Sequence, residues 1–537
     1  MSAVQAFAHD PVSRRRLKPA KSLLGSLFAP LDFLLAAGGD ARLALDPETR
    51  LNGYGCRAFP RPEAFTFASS TATSISDRAY AAADAARMAL VAAVSDREGA
   101  FDERIEAMRA RLLAYLGLAG SGTEIVFSPS GTDAQLQALV LTETLLGGPL
   151  TGIVVAADET GSGTKFALTG RHFSTLTALG HSVTKGEALS GLEGRFARID
   201  VPVCAENGKP RTLQEIDAAV IAAVESAVRA GRKVLLQTMD RSKLWRRLPS
   251  QACLAEIEVR FPNDVQVVVD ACQMRLSLER IRTYLSRGEM VLLTGSKFFT
   301  GPPFSGALLV PASLSARLDG DTLLPHGFRD YFNAGDWPRR WQSIGAQSPD
   351  GFNAGAWLRW EAALAEMEAY GAVPESYRRD ATGEFIATAS RLIGEGGLEL
   401  LPEDPRDASD AIDDGEFNTR TVLPFILRRN GEAISPEAAA KMYHALNRDV
   451  SGLLPPSATG LEKLVAAQFC HIGQPVAIVS GKGEETAVLR ISAGARILSD
   501  GWNADAKIAR RNLDCECEQV RLIVEKIGLL LRHQIGI

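Results

Sequence analysis

Short apolar runs alternate with amphipathic segments along the middle of the chain. From Glu124 onward, the runs with the length and the Val, Ile and Leu content of strands are EIVFS, GIVVAA, KVLLQTM, VQVVVDA and MVLLTGS. Helical patterns at 133–146 and 213–230 separate them. Strands without polar alternation that are separated by helices predict a mostly parallel sheet covered by helices on both faces. We expect this sheet to end near residue 311.

Helical periodicity predominates on both sides of this region. It predicts two helices between residues 78 and 116, a long amphipathic helix at 356–370 and a closing helix at 504–532. The run AVLRIS at 487–492 predicts a strand. The expected fold is therefore α/β, with a second, smaller α+β domain at the C-terminus. The predicted division is an N-terminal arm at 1–55, a large domain at 56–355 and a small domain at 356–537.

Composition narrows the classes of partner. The chain of 537 residues has a net charge of -5, which gives no electrostatic reason to expect nucleic acid or an anionic membrane as a partner. No apolar run reaches the ~18–20 residues of a membrane-spanning helix. Seven cysteines without CxxC spacing predict neither a disulfide framework nor a zinc site. We expect no metal and a location in the reducing cytoplasm.

Three chemical features fall at the carboxyl ends of predicted strands. Asp270 follows VVV, Lys297 follows VLLTGS, and Ser130-Gly131-Thr132 begins a helix after the first strand. Helix N-termini bind phosphate through free amides and the helix dipole. Each feature alone has an ordinary structural explanation, such as a helix cap or a surface lysine. Together, at the edge where α/β sheets bind ligands, they match pyridoxal phosphate (PLP), which needs a lysine for its Schiff base and an aspartate at its pyridine nitrogen.

The motifs that contain these residues resemble a known family. SGTDA, DACQ and TGSK followed by GPPFSGALLVP are similar to the signatures of fold-type I PLP enzymes, specifically the class V aminotransferase and cysteine desulfurase group. The spacing between Asp270 and Lys297 also fits that group. The resemblance covers roughly residues 120–365 well and the C-terminal part weakly.

The resemblance implies a role for each matching residue. Lys297 would be the Schiff-base lysine and proton shuttle, Asp270 would pair with the pyridinium nitrogen, and Gln273 would hydrogen-bond the phenolic oxygen of the cofactor. Cys272 would pack against the cofactor ring rather than act as a nucleophile. The residues implied to hold the phosphate are Gly131, Thr132 and Thr294.

The resemblance also implies contacts to substrate and to a second subunit. Thr300 and Gly301 match a segment that reaches the phosphate of the neighbouring subunit, so a homodimer with the active site at its interface is implied. Arg490, in VLRIS, matches the arginine that grips a substrate carboxylate. Arg496 is the competing choice, and an ordinary salt bridge is the structural alternative for Arg490.

Two departures from the family pattern bear on the reaction. The family often places a ring-stacking histidine just after the third strand, where this chain reads ADETGSG, and the nearest histidine is His172. Cysteine desulfurases need a mobile cysteine after the lysine, and none lies between Cys272 and Cys470. Cys470 and His471 could form a dyad, but their apolar neighbours favour a buried strand.

The sequence therefore favours a PLP-dependent enzyme that acts on an amino acid or related amine, with transamination as the leading reaction. PLP-dependent β-elimination or C–S lysis is the alternative, since it uses the same residues. A PLP-fold binding protein without catalysis is a third possibility. The Ser/Thr-rich segment at 65–76 either shapes the substrate pocket or only packs.

Overall fold

The structure is a computed structural model that describes residues 27–96, 100–205, 209–320, 322–351, 353–403, 412–479, 483 and 485–535. The first part of the expected N-terminal arm, 1–26, lies outside the described residues. In the described part of the chain, no helix is both long and apolar enough to cross a membrane.

The strands, in chain order, are β1 (Ala64–Phe67), β2 (Glu124–Ser128), β3 (Leu150–Val155), β4 (Phe196–Val201), β5 (Lys233–Met239), β6 (Val265–Asp270), β7 (Met290–Thr294), β8 (Gly306–Val310), β9 (Glu399–Leu400), β10 (Val422–Ile426), β11 (Arg428–Arg429), β12 (Glu432–Ala433), β13 (Phe469–Val479) and β14 (Glu485–Ser492).

The α-helices, in chain order, are α1 (Leu31–Ala36), α2 (Asp77–Asp96), α3 (Ala100–Tyr115), α4 (Gly131–Leu146), α5 (Thr164–Ala167), α6 (Leu213–Arg229), α7 (Gln251–Arg260), α8 (Leu278–Ser286), α9 (Ala312–Ser315), α10 (Gln342–Gly345), α11 (Ala354–Gly371), α12 (Glu375–Glu395), α13 (Pro436–Leu446), α14 (Gly460–Ala467), α15 (Ala495–Gly501) and α16 (Ala506–His533). Short 3-10 turns lie at Ala41–Leu43, His326–Asp330, Ala334–Asp336, Gly415–Asn418 and Ser451–Leu453.

The predicted parallel sheet is confirmed. Within the described residues it has seven strands in the order β2-β8-β7-β6-β5-β3-β4, and the five strands from β7 to β4 are parallel. Only β8 runs antiparallel to its neighbours β7 and β2. The sheet ends along the chain at Val310, close to the expected residue 311. The apolar runs in the sequence did not predict β4. This edge strand is mostly half-buried, and its sequence FARIDV lacks a continuous apolar stretch.

A second sheet forms the smaller part of the fold. Among the described residues its order is β1-β13-β14-β10-β9, and β1 pairs parallel to β13 while the other pairs are antiparallel. The predicted division at 56–355 and 356–537 places β1 in the large domain, but β1 completes the C-terminal sheet. The register joins Phe67 to Ile472, a pairing that no local pattern can reveal.

The two parts share one apolar core. A single cluster contains Phe127 and Phe299 of the large part, Phe425 and Ile491 of the small sheet, and Trp360 of α11 between them. Burial of continuous apolar surface at about 25 cal/mol per Å² makes separation of the two parts unfavourable. The crevice between the two sheets is therefore held at a defined geometry.

Candidate active site

A cavity of about 390 Å³ lies between the carboxyl ends of the parallel strands and the second sheet. Ligands bind at this edge in open α/β sheets. Most of the residues predicted from sequence line it: Gly131, Thr132, Asp270, Cys272, Thr294, Lys297 and Arg490. The structure therefore brings the three separate sequence motifs to one place.

The turn before α4 is shaped by its cap and by glycine. The Oγ atom of Ser130 accepts hydrogen bonds from the backbone N–H of Thr132 at 3.2 Å and of Asp133 at 3.3 Å. A Cβ atom at Gly131 would lie 2.7 Å from the Sγ atom of Cys272, so a larger residue would not fit here unless Cys272 moved. Burial raises the pKa of Asp133 to about 7, although the hydrogen bond that its carboxylate accepts from Ser130 acts to lower this pKa. The N-terminus of α4 therefore lies on the cavity wall next to Gly131, and its dipole favours an anion there; we call this position the anion cradle.

Asp270 is held at the end of β6 by two donors. Its carboxylate accepts a hydrogen bond from Cys272 N at 3.1 Å and from Gln237 Nε2 at 3.3 Å. The side chain is largely buried yet still lines the cavity. These bonds fix the orientation of the carboxylate, so one negative charge is presented at a defined point of the wall.

Lys297 lies just beyond β7 and is half-buried. Its amine lines the cavity and has no hydrogen-bond or ion-pair partner among the residues that the structure describes. Thr294, three residues earlier, donates its hydroxyl hydrogen to Cys272 O at 2.8 Å. Because this hydrogen is in use, the hydroxyl of Thr294 has no hydrogen left to donate to a phosphate, although Thr294 lines the cavity.

Three predicted residues lie outside the cavity lining. Gln273 is buried and donates from Nε2 to Ser70 O at 3.1 Å, so one of its two amide hydrogens is in use. Thr300 and Gly301 are buried inside this chain, and a Cβ atom at Gly301 would lie 2.8 Å from Ala363. The implied contact of this pair with a second subunit stays a prediction.

The inward position of Thr300 has a physical reason. Its backbone φ is 57°, and its carbonyl accepts hydrogen bonds from Thr73 Oγ1 at 3.1 Å and from Arg496 Nη2 at 2.8 Å. Both donors come from segments distant in sequence. The positive φ is uncommon for a threonine and is held by these contacts.

Arg490 is buried in β14 without an acidic partner in the described part of the chain. It donates from Nη2 to Thr71 Oγ1 at 3.0 Å and to Gln474 O at 2.7 Å, while its buried Nε and Nη1 have no hydrogen-bond partner among the described residues. Burial lowers the pKa of Arg490 to about 10. A salt bridge therefore does not account for this residue, and two donors are left for a ligand.

Arg496, the competing choice, is used elsewhere. It donates to Ser74 O at 3.2 Å, lies 3.4 Å from a carboxylate oxygen of Glu366, and does not line the cavity. Because its charge is balanced by a buried carboxylate, it is a structural arginine. Arg490 is the one of the two that faces the cavity.

Sequence reasoning missed Lys243, which follows β5 and lines the cavity. Its Nζ atom donates to Thr160 O at 2.6 Å. Burial, together with the positive charges of Arg490 and Lys297, lowers the pKa of Lys243 to about 7. Its place after a parallel strand, like that of Asp270 and Lys297, is the signal that could have identified it.

The N-terminal region also contributes to the wall. Ser70 and Thr71 line the cavity, so the Ser/Thr-rich segment shapes the pocket rather than only packing. Tyr54 lines it as well, and so does Arg42, which is paired with Asp40 at 2.6 Å. Only tertiary contacts place these residues opposite the strand ends.

No histidine occupies the position expected of a ring-stacking residue in the described part of the wall. Gly161, Ser162 and Thr164 line the cavity after β3 instead. His172 does not line it, and its Nδ1 atom lies 2.8 Å from the hydroxyl of Tyr331. The departure seen in the sequence is therefore a feature of the site itself.

The buried thiols are not arranged for nucleophilic catalysis. Burial and the nearby charge of Asp270 raise the pKa of Cys272 well above its ordinary value, which disfavours the thiolate. Cys470 and His471 are adjacent in β13, so their side chains point to opposite faces, and neither lines the cavity. Nε2 of His471 donates to Tyr54 O at 2.9 Å. The described residues also contain no cluster of His, Cys, Asp or Glu placed to hold a metal ion.

No family model and no curated protein matches this chain. Among solved structures, it is similar to the cystine C-S lyase C-DES in complex with its reaction product cysteine persulfide, with 13% identity over 85% of this chain and 98% of that chain, at a TM-score of 0.47. It is also similar to the ureidoglycine-glyoxylate aminotransferase of Bacillus subtilis, with 11% identity over 90% and 96% of the two chains and a TM-score of 0.47. A third similar structure is that of Oryza sativa TDC with PLP and tryptamine, with 14% identity over 87% and 83% of the chains and a TM-score of 0.45.

Proposed function

We propose that this protein is a PLP-dependent enzyme that acts on an amino acid or related amine, with transamination as the leading reaction. The observation that carries the proposal is the placement of Lys297 and Asp270 on one cavity wall. The amine of Lys297 is without a partner among the described residues, while the carboxylate of Asp270 is held by two donors. A free amine beside a fixed carboxylate is the pair that PLP requires.

The rest of the wall fits the same cofactor. The start of α4 offers an anion cradle in which a Cβ atom at Gly131 would be crowded by Cys272. A phosphate is the group that such a helix N-terminus holds best. Lys297 would bond the cofactor aldehyde, Asp270 would hold the protonated ring nitrogen, and Gly131 with Thr132 would hold the phosphate.

When bound, PLP supplies an electron sink for the carbon that bears the substrate amine. Lys297 would take the proton from that carbon and, in transamination, pass it to the cofactor, because its amine faces the same cavity. Arg490 would hold the substrate carboxylate through guanidinium N–H groups that have no partner among the described residues. Together they fix the substrate at two points, which determines which of its bonds reacts.

Elimination with C–S bond cleavage uses the same residues up to proton removal, and it is the alternative reaction. Transfer of sulfur to the protein as a cysteine-bound persulfide would need a reactive thiol, and the raised pKa of Cys272 argues against one at this wall. Candidate amino acids distinguish the two reactions. Conversion of the cofactor to its amine form indicates transamination, while ammonia and a keto acid without that conversion indicate elimination.

The cofactor is tested by absorbance and by chemical trapping. Purified protein supplied with PLP is expected to show a visible absorbance band, and borohydride is expected to attach the cofactor to Lys297, identified by peptide mass spectrometry. Lys243→Ala is the matched control, because this second lysine lines the same cavity. The band should survive in that variant and disappear in Lys297→Ala.

The third possibility, a binding protein without catalysis, is tested by the same measurement. If wild type and Lys297→Ala have the same spectrum and neither retains PLP, the enzyme proposal is wrong. The homodimer and the cytoplasmic location stay predictions, and the buried positions of Thr300 and Gly301 lend the homodimer no support. Sedimentation of the purified protein would measure its oligomeric state.

A further inference from the structure

The charged residues on the cavity wall do not balance. Five of them line it: Arg42, Lys243, Asp270, Lys297 and Arg490. Arg42 is neutralised by Asp40, whose carboxylate accepts hydrogen bonds from Nε at 2.9 and 3.0 Å and from Nη2 at 2.6 Å. The remaining three basic side chains face one carboxylate. Charges that are held out of water without a counter-charge are costly, so this excess indicates anionic ligands, of which the PLP phosphate proposed at Gly131 and Thr132 is one.

Lys243 has donors available for such a ligand. An ammonium group has three hydrogens, and one is used in the bond to Thr160 O at 2.6 Å. The nearest acid along that loop, Glu159, is already engaged by Arg246 at 3.3 Å and by the hydroxyl of Ser242. Within the described residues, no carboxylate lies at ion-pair distance from Lys243.

Lys243 and Arg490 approach the cavity from different sheets. Lys243 follows β5 of the large sheet, while Arg490 lies in β14 of the small sheet. Burial and the repulsion between these two cations lower the pKa of Lys243. The lowered pKa disfavours the charged form of Lys243 until an anion binds. A ligand with one negative group for each cation would relieve that repulsion, whereas a single carboxylate on Arg490 would leave Lys243 uncompensated.

We propose that Lys243 is a substrate-binding residue and that, with Arg490 on the α-carboxylate, it makes the site select an amino acid whose side chain carries a second anionic group. The proposal rests on the proposed function, since it requires that Arg490 binds the α-carboxylate and that the reacting amine lies next to Lys297. Lys243 thereby determines specificity rather than bond cleavage.

The test measures binding to the PLP-loaded protein by isothermal titration calorimetry, independently of turnover. The probes are two acids of equal length, glutarate with two carboxylates and pentanoate with one, and 4-phosphonobutyrate, in which a phosphonate replaces one carboxylate of glutarate. Wild type should bind glutarate at least ~10-fold more tightly than pentanoate, because a hydrogen bond to a charged group contributes about 1.5–3 kcal/mol. If 4-phosphonobutyrate binds more tightly than glutarate, the second group is a phosphoryl group rather than a carboxylate.

Lys243→Met is expected to weaken glutarate ~10- to 100-fold and to leave pentanoate unchanged, since a charge-assisted contact of about 1.5–3 kcal/mol is lost. Lys243→Arg should retain most of the preference because it keeps the charge. If Lys243→Met does not fold, Lys243→Gln replaces it, and unfolding midpoints establish that each variant is native.

Three results would overturn the proposal. Equal binding of glutarate and pentanoate by wild type would show that the second anion is not recognised. Equal weakening of both acids by Lys243→Met would mean that Lys243 and Arg490 share one carboxylate. A fall in PLP affinity in the same variant would assign Lys243 to the cofactor phosphate. Failure of the proposed function is a different result, namely the absence of PLP attachment at Lys297 in wild type.

Discussion

Arg490 donates a hydrogen bond of 3.0 Å from Nη2 to the hydroxyl of Thr71, although 419 positions separate the two residues in the chain. The same hydroxyl accepts a hydrogen bond from Gln474 N at 3.2 Å. The N-terminal Ser/Thr-rich segment and the two central strands of the small sheet therefore form one wall. This wall holds the guanidinium in place, while Nε and Nη1 have no partner in the part of the chain that the structure describes.

Replacement of Arg490 tests the carboxylate contact. In the PLP-loaded protein, Arg490→Met is expected to weaken pentanoate and other monocarboxylates ~10- to 100-fold, because a charged hydrogen-bonding group is worth about 1.5–3 kcal/mol. The cofactor absorbance should persist, since Arg490 is not assigned to PLP. Arg496→Met is the matched control and should leave ligand affinity unchanged, because Arg496 lies outside the cavity. Equal losses in the two variants would contradict the assignment.

Gly131 tests the anion cradle by steric means. A Cβ atom there would lie 2.7 Å from the Sγ atom of Cys272, closer than carbon and sulfur can approach. Gly131→Ala should therefore weaken PLP binding and cost about 1–3 kcal/mol of unfolding free energy through overpacking. Cys272→Ala removes the clashing atom, so the double variant should bind PLP more tightly than Gly131→Ala alone.

The double-variant cycle is measured by PLP titration and by urea denaturation. A coupling energy near zero between the two positions would show that contact with Cys272 is not what excludes a larger side chain at Gly131. In that case the crowding at the cradle would not explain why a glycine is needed there.

Asp414 joins the small part of the fold to the large one. Its buried carboxylate accepts hydrogen bonds from Arg280 Nε at 2.7 Å and from Arg247 Nη2 at 2.8 Å, and from Ser277 N at 3.1 Å. Asp414→Ala should lower the unfolding free energy by about 3–5 kcal/mol, because it leaves buried guanidinium groups unpaired. Urea denaturation measures the loss. Asp413→Ala is the control and should change stability little, since Asp413 is exposed.

Acid should weaken the same contact. Burial acts to raise the pKa of Asp414, but the hydrogen bond and charge of Arg280, together with Arg247, lower it below the ordinary value. A carboxyl group with a depressed folded-state pKa stabilises the protein above its unfolded-state pKa, and that stability is lost as the pH falls through the folded-state value. Asp414→Asn should therefore show a smaller loss of unfolding free energy on acidification than wild type does. An identical pH dependence in both proteins would argue against this ionised contact.

His471 supplies a second pH dependence. Burial lowers its pKa to about 4, and the neutral ring donates from Nε2 to Tyr54 O. Between about pH 6.5 and pH 4 the unfolded chain binds a proton that the folded chain does not, so the unfolding free energy falls as the pH is lowered. The full effect is about 3 kcal/mol. His471→Gln should flatten this slope, while His181→Gln, at an exposed position, should leave it nearly unchanged.

Local patterns predicted much of the large domain and most of its site. The continuous apolar runs at β3, β5, β6 and β7 gave the parallel sheet because strands buried on both faces have no polar alternation. Asp270 and Lys297 were found because residues at the carboxyl ends of such strands meet at one edge. Those predictions depend only on residues near one another in the chain, and the structure places both side chains on one cavity.

The tertiary structure decided what periodicity does not encode. The pairing of β1 with β13 brings Thr71 to Arg490, and the hydrogen bond from Gln273 to Ser70 O joins the DACQ motif to the N-terminal Ser/Thr-rich segment. Lys243 and Arg490 line the same cavity only because the two sheets pack against each other. Contacts between segments hundreds of residues apart determine these positions. Motifs thus identified the lysine and the aspartate, whereas long-range packing determined which other charged groups surround them.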